Sequence, residues 1–455
     1  MDTLNSPPGD IRRRTMAKVL RRTVPFLMAL YFVNILDRVN LGYVALDMQD
    51  ELSISAAAYG SLAAAFFVGY FFFEVPSNVL LEKFGANKVI SRIMVTWGIV
   101  TILTFFVTAY WQIYALRFLL GVMEAGFFPG IIFYLSQWVP SRYRAKAVTL
   151  FFVGSQLGTA FSGPIATRIM DHVSWLGHSG WRWVFMLEGV PAVLLGIMAY
   201  VYLTNHPEEA KWLSSQEKTW LTAELAAERK VNRSENHGVK QAFRSARVWH
   251  LAGIYMLFQA GTQGMAYWAP TVVKGMSDAF SNSTVGMILM VPPLLSIGVM
   301  LILSRHSDKA GERKYHAMFP IVLAVSGIVI AAAGDSVTMK IAGVIIYGSS
   351  YPSFLGIFWT LPSIYLTGVQ AAVGLAIINA SSSASTFASN TVLGFLSEAY
   401  GNVGVLVFIG GCMGVAALLL LMFKASDRSL TPGLQHDVAP AAKPSDGAAV
   451  TQRTE

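Results

Sequence analysis

The chain has 455 residues, of which 54% are hydrophobic and 13% are charged, and its formal net charge is +8. An ordinary soluble domain carries about 25% charged residues, so this composition excludes a soluble globular protein and indicates one embedded in a membrane. The single cysteine excludes an internal disulfide, no Cys/His cluster has metal-site spacing, and basic cytoplasmic loops explain the net charge better than nucleic-acid binding does.

Six apolar spans are predicted in the first half of the chain. Residues 1–22 are polar and carry a cluster of Arg and Lys, which places the N-terminus in the cytoplasm by the positive-inside rule. The predicted spans are about 25–45, 59–81, 89–109, 111–138, 147–170 and 183–203. The loop after the first span holds acidic residues and no Lys or Arg, as expected for a loop outside the cell.

A charged stretch separates these spans from six more. We interpret residues 205–247 as a cytoplasmic linker, in which Ser214 and Glu217 have the spacing of a capping box and predict a short amphipathic helix. The later spans are predicted at about 248–272, 283–304, 316–334, 341–362, 371–397 and 402–424. The predicted domains are therefore a tail (1–22), a bundle (23–204), the linker (205–247), a second bundle (248–427) and a disordered cytoplasmic tail (428–455).

A short acid–Lys–x–Gly motif occurs twice, each time in the tight loop between the second and third spans of its half. The two copies lie about half the chain apart, which predicts an all-α membrane protein with twelve transmembrane helices in two pseudo-symmetric six-helix bundles. The glycine permits the tight turn, and the acid can cap a helix or bind a neighbouring Arg. We expect these residues to form a cytoplasmic gate: Glu82, Lys83, Gly85, Asp308, Lys309 and Gly311. The alternative is that the motif only sets the topology of the chain and has no gating role.

Two apolar spans carry opposite charges in their interior. In the fourth span Arg117 and Glu124 are seven residues apart, so both project from one helix face. An Arg at a bilayer centre costs roughly 2.5–3.5 kcal/mol on insertion scales, so we expect this face to line a substrate path, with a structural ion pair as the alternative. Asp37 and Arg38 interrupt the middle of the first span, between Asn34 and Asn40.

The chemistry of these charges suggests a division of roles. Arg does not lose its proton in proteins and binds carboxylates in bidentate fashion, so Arg38 and Arg117 suit an organic anion. A buried carboxyl can be neutralised, so Asp37 and Glu124 suit the proton. Arg38 points about 100° away from Asp37 along a helix, so a contact with a neighbouring helix is the alternative for it.

These motifs resemble the major facilitator superfamily and, within it, the anion:cation symporter family, which includes bacterial permeases for tartrate, phthalate, glucarate and galactonate. The resemblance covers roughly residues 20–425. It rests on residues 37–42, 76–78, 117–130 and 180–183, together with Glu188-Gly189. The first gate motif departs from the superfamily pattern, because Asn78 stands where Gly is frequent and Asn87 stands where a base is usual.

The resemblance implies roles for particular residues. Asp37 and Glu124 would carry protons, while Arg38 and Arg117 would handle the anion. Further substrate contacts are implied at four positions that match by residue type and spacing: Tyr70, Gln156, Trp359 and Asn379.

The function implied is proton-coupled import of an organic-acid anion by alternating access. The substrate would be a sugar acid, a hydroxy-dicarboxylate or an aromatic carboxylate, and no cofactor is expected. We expect a monomer in a bacterial inner membrane with both termini in the cytoplasm. A proton-driven exporter on the same fold and a transport-inactive membrane sensor are the alternatives, whereas an enzyme is disfavoured because no nucleophile–base set or metal cluster is found.

Overall fold

The computed structural model describes residues 8–232, 243–365 and 368–423, and within these ranges the chain is predominantly α-helical with no β-strand. The predicted C-terminal tail and part of the linker, residues 233–242, lie outside the described residues. The helices of the first half are α1 (Pro8–Glu51), α2 (Ala56–Phe84), α3 (Ala86–Thr104), α4 (Tyr110–Glu124), α5 (Phe127–Trp138), α6 (Ser141–His172) and α7 (Gly180–Tyr202). Because α1 begins at Pro8, most of the predicted polar tail is helix continuous with the first span.

The second half follows a helix in the linker. That helix is α8 (Ser215–Asn232). The helices after it are α9 (Ala246–Lys274), α10 (Asn282–Ala310), α11 (Lys314–Ala333), α12 (Val337–Ser350), α13 (Pro352–Phe358), α14 (Thr360–Tyr365) and α15 (Gly368–Met422). The predicted tenth span is thus divided among α12, α13 and α14. Helix α15 is interrupted at Gly401, where φ is 59° and ψ is −152°, so two predicted spans meet there.

The long apolar helical segments of the described residues match the predicted spans in number. Nine segments of the described residues are long and apolar enough to cross a membrane, and the longest, Val373–Met422, holds the two spans on either side of Gly401. Helices α6 and α9, of 32 and 29 residues, supply the remaining two predicted spans. The architecture is therefore the predicted all-α membrane fold.

The predicted fourth span is two helices rather than one. Helix α4 ends at Glu124, and α5 begins at Phe127 after a turn in which Gly126 adopts the left-handed region, with φ of 88°. A Cβ atom at position 126 would lie 2.3 Å from Oγ of Ser77, so only glycine fits this turn. The break places the Glu124 carboxylate at the C-terminal end of α4.

The linker helix packs on the first bundle. The capping box is confirmed, because the Ser214 amide donates to Glu217 Oε2 at 2.9 Å and the Glu217 amide donates to Ser214 Oγ at 3.3 Å. Glu217 also binds Lys18 of α1, with Nζ 2.7 Å from Oε1. Trp212, just before α8, stacks on Trp138 with ring centroids 5.4 Å apart.

The two halves contact each other where α1 ends and α2 begins, the end predicted to face outward. Close approach is possible because glycines meet there: a Cβ atom at Gly60 would lie 2.7 Å from the Cα of Gly394, and one at Gly163 would lie 2.9 Å from the Gly286 carbonyl oxygen. Asn282 of α10 donates to Asp47 of α1 at 3.0 Å. The halves are therefore closed against each other at this end.

Candidate functional site

An ion pair between α1 and α4 is the first part of the site. Arg38 donates from Nη2 to Glu124 Oε1, and Asn34 donates to the same oxygen at 2.9 Å. Glu124 is fully buried, whereas the Arg38 side chain is 22% exposed. The Arg38 guanidinium also lies 5.3 Å and 5.5 Å from the ring centroids of Phe66 and Tyr70, within the range of cation–π attraction. Arg38 is therefore the more accessible partner of this pair.

One oxygen of the buried Glu124 carboxylate is left without a partner. Among the described residues, Oε2 has no hydrogen-bond donor, although Oε1 accepts from both Arg38 and Asn34. A buried carboxylate oxygen without a donor is costly as an anion. Glu124 Oε2 is therefore an open hydrogen-bonding position inside the site.

A second polar cluster, buried throughout, lies between α1, α4 and α7. Arg117 donates from Nη2 to Asn40 Oδ1 at 3.3 Å. Asn40 Nδ2 in turn donates to Glu188 Oε2 at 2.9 Å and to Asp37 Oδ1 at 3.5 Å. All four side chains are buried, and none of these residues is more than 4% exposed. The Asn40 amide thus connects one cation to two carboxylates.

The antiparallel run of α1 and α4 explains the two clusters. Arg117 and Glu124 lie on one face of α4, as the spacing predicted, but they contact different turns of α1: Glu124 binds Asn34 and Arg38, and Arg117 binds Asn40. The ion pair of Glu124 in the described contacts is with Arg38. Arg38 therefore contacts a neighbouring helix in this structure, and its role toward an anion stays a prediction.

Three residues of these clusters were not assigned by the sequence analysis. Asn34 and Asn40 appeared only as interruptions of the first span, and Glu188 appeared only within a motif of the sixth. A signal was present, because Asn34, Asp37 and Arg38 have the spacing of one helix face, and Asn40 lies within a turn of it. Nothing in the sequence paired that face with Glu188, which is distant in the chain.

The other predicted substrate contacts lie on several elements. Tyr70 is beside Arg38, as described. Gln156 of α6 accepts a hydrogen bond from Ser296 of α10 at 3.3 Å, so it lies between the two halves. Trp359, between α13 and α14, packs edge-on against Tyr255 with centroids 5.0 Å apart, and Asn379 of α15 is exposed. The described contacts bring Tyr70 to the Arg38 pair, whereas Gln156, Trp359 and Asn379 make theirs elsewhere.

The twin loops have the backbone that their glycines predict. Gly85 ends α2 with φ of 86°, and Gly311 ends α10 with φ of 64°, so both need the left-handed region. Lys83 and Lys309 are exposed. The side chains of Glu82 and Asp308 lie outside the described part of the structure. The gate role of these loops stays a prediction.

Comparison with known proteins identifies relatives over most of the chain. The family model described as Major Facilitator Superfamily matches residues 27–389. A putative tartrate transporter of Agrobacterium vitis is 40% identical over 415 residues, which are 91% of this chain and 95% of the relative. The putative metabolite transport protein NicT of Pseudomonas putida is 36% identical over 427 residues, covering 92% of this chain and 97% of the relative.

A more distant relative and a solved structure complete the comparison. A quinolone resistance transporter of Acinetobacter baumannii is 33% identical over 412 residues, 90% of this chain and 95% of the relative. The inward open conformation of the xylose transporter XylE from E. coli superposes with a TM-score of 0.70 at 16% identity, covering 92% of this chain and 98% of that one. At this identity the structural likeness shows the fold alone.

Proposed function

This chain belongs to the Major Facilitator Superfamily, and we propose that it is a proton-coupled symporter that imports an organic-acid anion by alternating access. It is a membrane transporter and not an enzyme. The observation that carries the proposal is the pairing of an accessible arginine, Arg38, with a buried carboxylate, Glu124, inside the membrane-spanning part. In such a pair a proton can neutralise the carboxylate, and a substrate anion can then neutralise the arginine in its place.

Arg38 couples the proton to the anion in this proposal, because it can pair with either Glu124 or the substrate. With Glu124 ionised, Arg38 is neutralised within the protein and has little attraction for a second anion. A proton on Glu124 removes that competitor, and the guanidinium is then free to bind a substrate carboxylate in bidentate fashion. Loss of the proton restores the pair and displaces the anion. Asp37 is the second proposed proton carrier, beside Arg117.

The direction of transport and the membrane complete the proposal. Bacterial relatives support a bacterial inner membrane, and the basic loops support a cytoplasmic location for both termini. A monomer is proposed as the working unit. With both termini in the cytoplasm, the end at which the halves contact each other faces outward. The twin loops would close the opposite end in the alternate state.

The substrate is proposed at the level of chemical class. The names of the Agrobacterium vitis relatives support a hydroxy-dicarboxylate such as tartrate. Tyr70 beside Arg38 and the Trp359–Tyr255 ring pair offer surfaces for a sugar-acid backbone or an aromatic carboxylate. A thermal-shift screen against tartrate isomers, sugar acids and aromatic acids would separate these classes, since a ligand of the folded state raises its apparent stability.

A proton-driven exporter is the second candidate. The relative from Acinetobacter baumannii named a quinolone resistance transporter favours it. An exporter would carry substrate against the direction of proton entry, whereas a symporter carries both the same way.

Transport by the purified full chain in proteoliposomes tests the proposal. The anion selected by the thermal-shift screen is added outside, and the outer solution is made acidic. We expect accumulation of the anion inside, dissipated by a protonophore. Uptake that is indifferent to the pH gradient would overturn symport. In vesicles preloaded with the anion, expulsion driven by an inwardly directed proton gradient would favour the exporter.

A further inference from the structure

We infer that Glu188 is a proton-binding group of the transport site. Glu188 and Asp37, which the amide of Asn40 bridges, hold one proton between them. This inference rests on the proposed function, because it assigns a further residue to the same coupling machinery. Glu188 lies on α7, the sixth span, while Asp37 and Asn40 lie on α1. The three side chains form a continuous hydrogen-bonded unit with at most 3% exposure at any residue.

The geometry leaves one oxygen of each carboxylate free. Asn40 Nδ2 has two hydrogens and directs them to Glu188 Oε2 at 2.9 Å and Asp37 Oδ1 at 3.5 Å. The other oxygens, Asp37 Oδ2 and Glu188 Oε1, are buried without a hydrogen-bond partner among the described residues. A proton on either oxygen would neutralise one of the two carboxylates. The Asn40 amide therefore supplies one hydrogen bond to each carboxylate and leaves two oxygens open to a proton.

The balance of charge around the pair points the same way. From α1 Glu188 faces Asp37 and Asn40, from α4 it faces Arg117, and α3 contributes the buried hydroxyl of Thr101 near Asp37. Arg117 is thus the one cation that the described residues bring to two acids, since Arg38 is engaged by Glu124. With both acids ionised, one buried negative charge would be uncompensated, at a cost of several kcal/mol. One shared proton makes the unit neutral.

Close helix packing holds Glu188 in this position. Helices α3 and α7 approach through glycines, because a Cβ atom at Gly189 would lie 2.7 Å from Ile102 Cγ1, and one at Gly98 would lie 3.0 Å from the Gly189 carbonyl oxygen. Glu188, next to Gly189, is fixed toward α1 and away from lipid. A residue placed there only for packing would be apolar, since lipid-buried carboxylates are rare and functional.

The shared proton has a consequence for coupling. With Glu188 present, Asp37 competes with a second acid for Arg117, so the pair keeps a proton that it can exchange. With Glu188 replaced by glutamine, Asp37 alone would neutralise Arg117 and remain ionised. Glu188 therefore acts by keeping Asp37 within reach of a proton.

Infrared spectroscopy of the purified full chain, without ligand, tests the shared proton directly. A protonated carboxyl group has a C=O stretching band that ionised carboxylates lack and that shifts in D₂O. We expect Glu188→Gln and Asp37→Asn each to abolish this band, and Glu188→Asp to keep it. Glu74→Gln, at a partly buried glutamate of α2, is the matched control and should leave the band unchanged.

Transport measurements separate a role in coupling from a role in structure. We expect Glu188→Gln to exchange labelled for unlabelled substrate while its gradient-driven accumulation falls about tenfold. An unchanged band in Glu188→Gln would overturn the inference, as would full gradient-driven accumulation. A wild-type chain that shows the band but does not respond to a proton gradient would overturn the proposed function and leave the shared proton standing.

Discussion

Glu124 receives Arg38 and Asn34 on the same oxygen, and its second oxygen is left without a donor. A buried ion pair is most stable when the remaining lone pairs of its carboxylate are also hydrogen-bonded, and this one lacks that compensation. The pair joins α1 to α4 directly before the turn at Gly126, so the backbone break and the charged site coincide. Substitutions at positions 38, 124 and 126 therefore separate the charge of the site from the backbone that holds it.

Glutamine at position 124 is expected to uncouple transport from the proton. Glu124→Gln imitates the protonated carboxyl, so Arg38 stays free for the anion at every pH. Substrate binding in thermal-shift titrations should become independent of pH, and exchange should persist. The accumulation ratio of the variant should fall below that of the unmodified chain by about tenfold for each pH unit of imposed gradient, since one unit is worth about 1.4 kcal/mol per proton.

The control for that experiment is Glu224→Gln, which removes a carboxylate at an exposed position of α8, away from the Arg38 pair. It should accumulate substrate as the unmodified chain does. If Glu124→Gln still accumulates substrate uphill, Glu124 is not a proton carrier.

Lysine at position 38 is expected to weaken the binding of the anion. Arg38→Lys keeps the charge that neutralises Glu124 but loses the planar fork that binds a carboxylate through two parallel hydrogen bonds. We expect the dissociation constant to rise about tenfold, equivalent to about 1.4 kcal/mol. Arg92→Lys, at an exposed position of α3, is the control. Unchanged affinity in Arg38→Lys would remove the anion-binding role.

Much of this fold could be predicted from the sequence, because membrane burial imposes long apolar spans and the loops between them carry few other signals. The capping box at Ser214 and Glu217 was equally local and is confirmed. The break after Glu124 was not predicted, since an apolar run of 28 residues from Trp111 to Trp138 gives no hydropathy signal at a two-residue turn. Gly126 was visible, but its left-handed conformation and its close approach to Ser77 depend on how α4 packs against α2.

The candidate site shows the same limit. Charges inside apolar spans could be recognised one by one, because each is costly in lipid. The partners of these charges could not be recognised from the sequence, since pairing depends on how α1 lies against α4 and α7. The antiparallel contact puts Arg117 on Asn40 rather than beside the ion pair, and it brings Glu188 to Asp37 from a distant part of the chain.

Alanine at position 126 is expected to destabilise the protein. The residue has φ of 88°, and a Cβ atom would lie 2.3 Å from Ser77 Oγ. A strained left-handed residue costs roughly 1–3 kcal/mol, so the apparent Tm of Gly126→Ala in detergent should fall. Gly414→Ala is the matched control, because a Cβ atom at that position would meet nothing within 4 Å. An equal Tm for both variants would contradict the assigned turn.

The linker helix is expected to loosen in acid. Partial burial raises the pKa of Glu217, but hydrogen bonds from Lys18 and Ser214 outweigh it and lower the pKa below its ordinary value. A lowered folded-state pKa means that this stabilisation is present above the unfolded value, about 4.3, and is lost as the pH falls through the folded value. Since Lys18 is 46% exposed, the ion pair is worth roughly 0.2–1 kcal/mol.

Hydrogen exchange over residues 215–232 measures this effect. Glu217→Gln should increase exchange at neutral pH and abolish its further increase in acid. Glu224→Gln, at an exposed position of the same helix, should keep the acid dependence. The same acid dependence in Glu217→Gln would assign the loosening to another group.

The end at which the two halves are closed has two equivalent contacts that cross between them. Asp171 at the end of α6 accepts from the Ser283 amide of α10 at 3.0 Å, and Glu398 of α15 accepts from the Ala57 amide of α2 at 3.0 Å. Helices α2 and α10 are the second and eighth spans, and α6 and the first part of α15 are the fifth and eleventh. Each half thus caps a helix N-terminus of the other with a carboxylate, where the helix dipole favours negative charge.

Removing both carboxylate charges is expected to shift the protein toward a state open at this end. A charge near a helix N-terminus contributes about 0.3–1 kcal/mol, so Asp171→Asn with Glu398→Gln should change the ratio of states by about threefold to thirtyfold. Spin labels on cysteines at exposed Asp50 and Ala279, in a Cys412→Ser background, report the distance across this end. We expect a larger long-distance population in the double variant than in the labelled parent. Asp335→Asn, in the loop before α12, is the control. Equal distance distributions in the labelled parent, the double variant and the control would show that the two carboxylates do not hold this end closed.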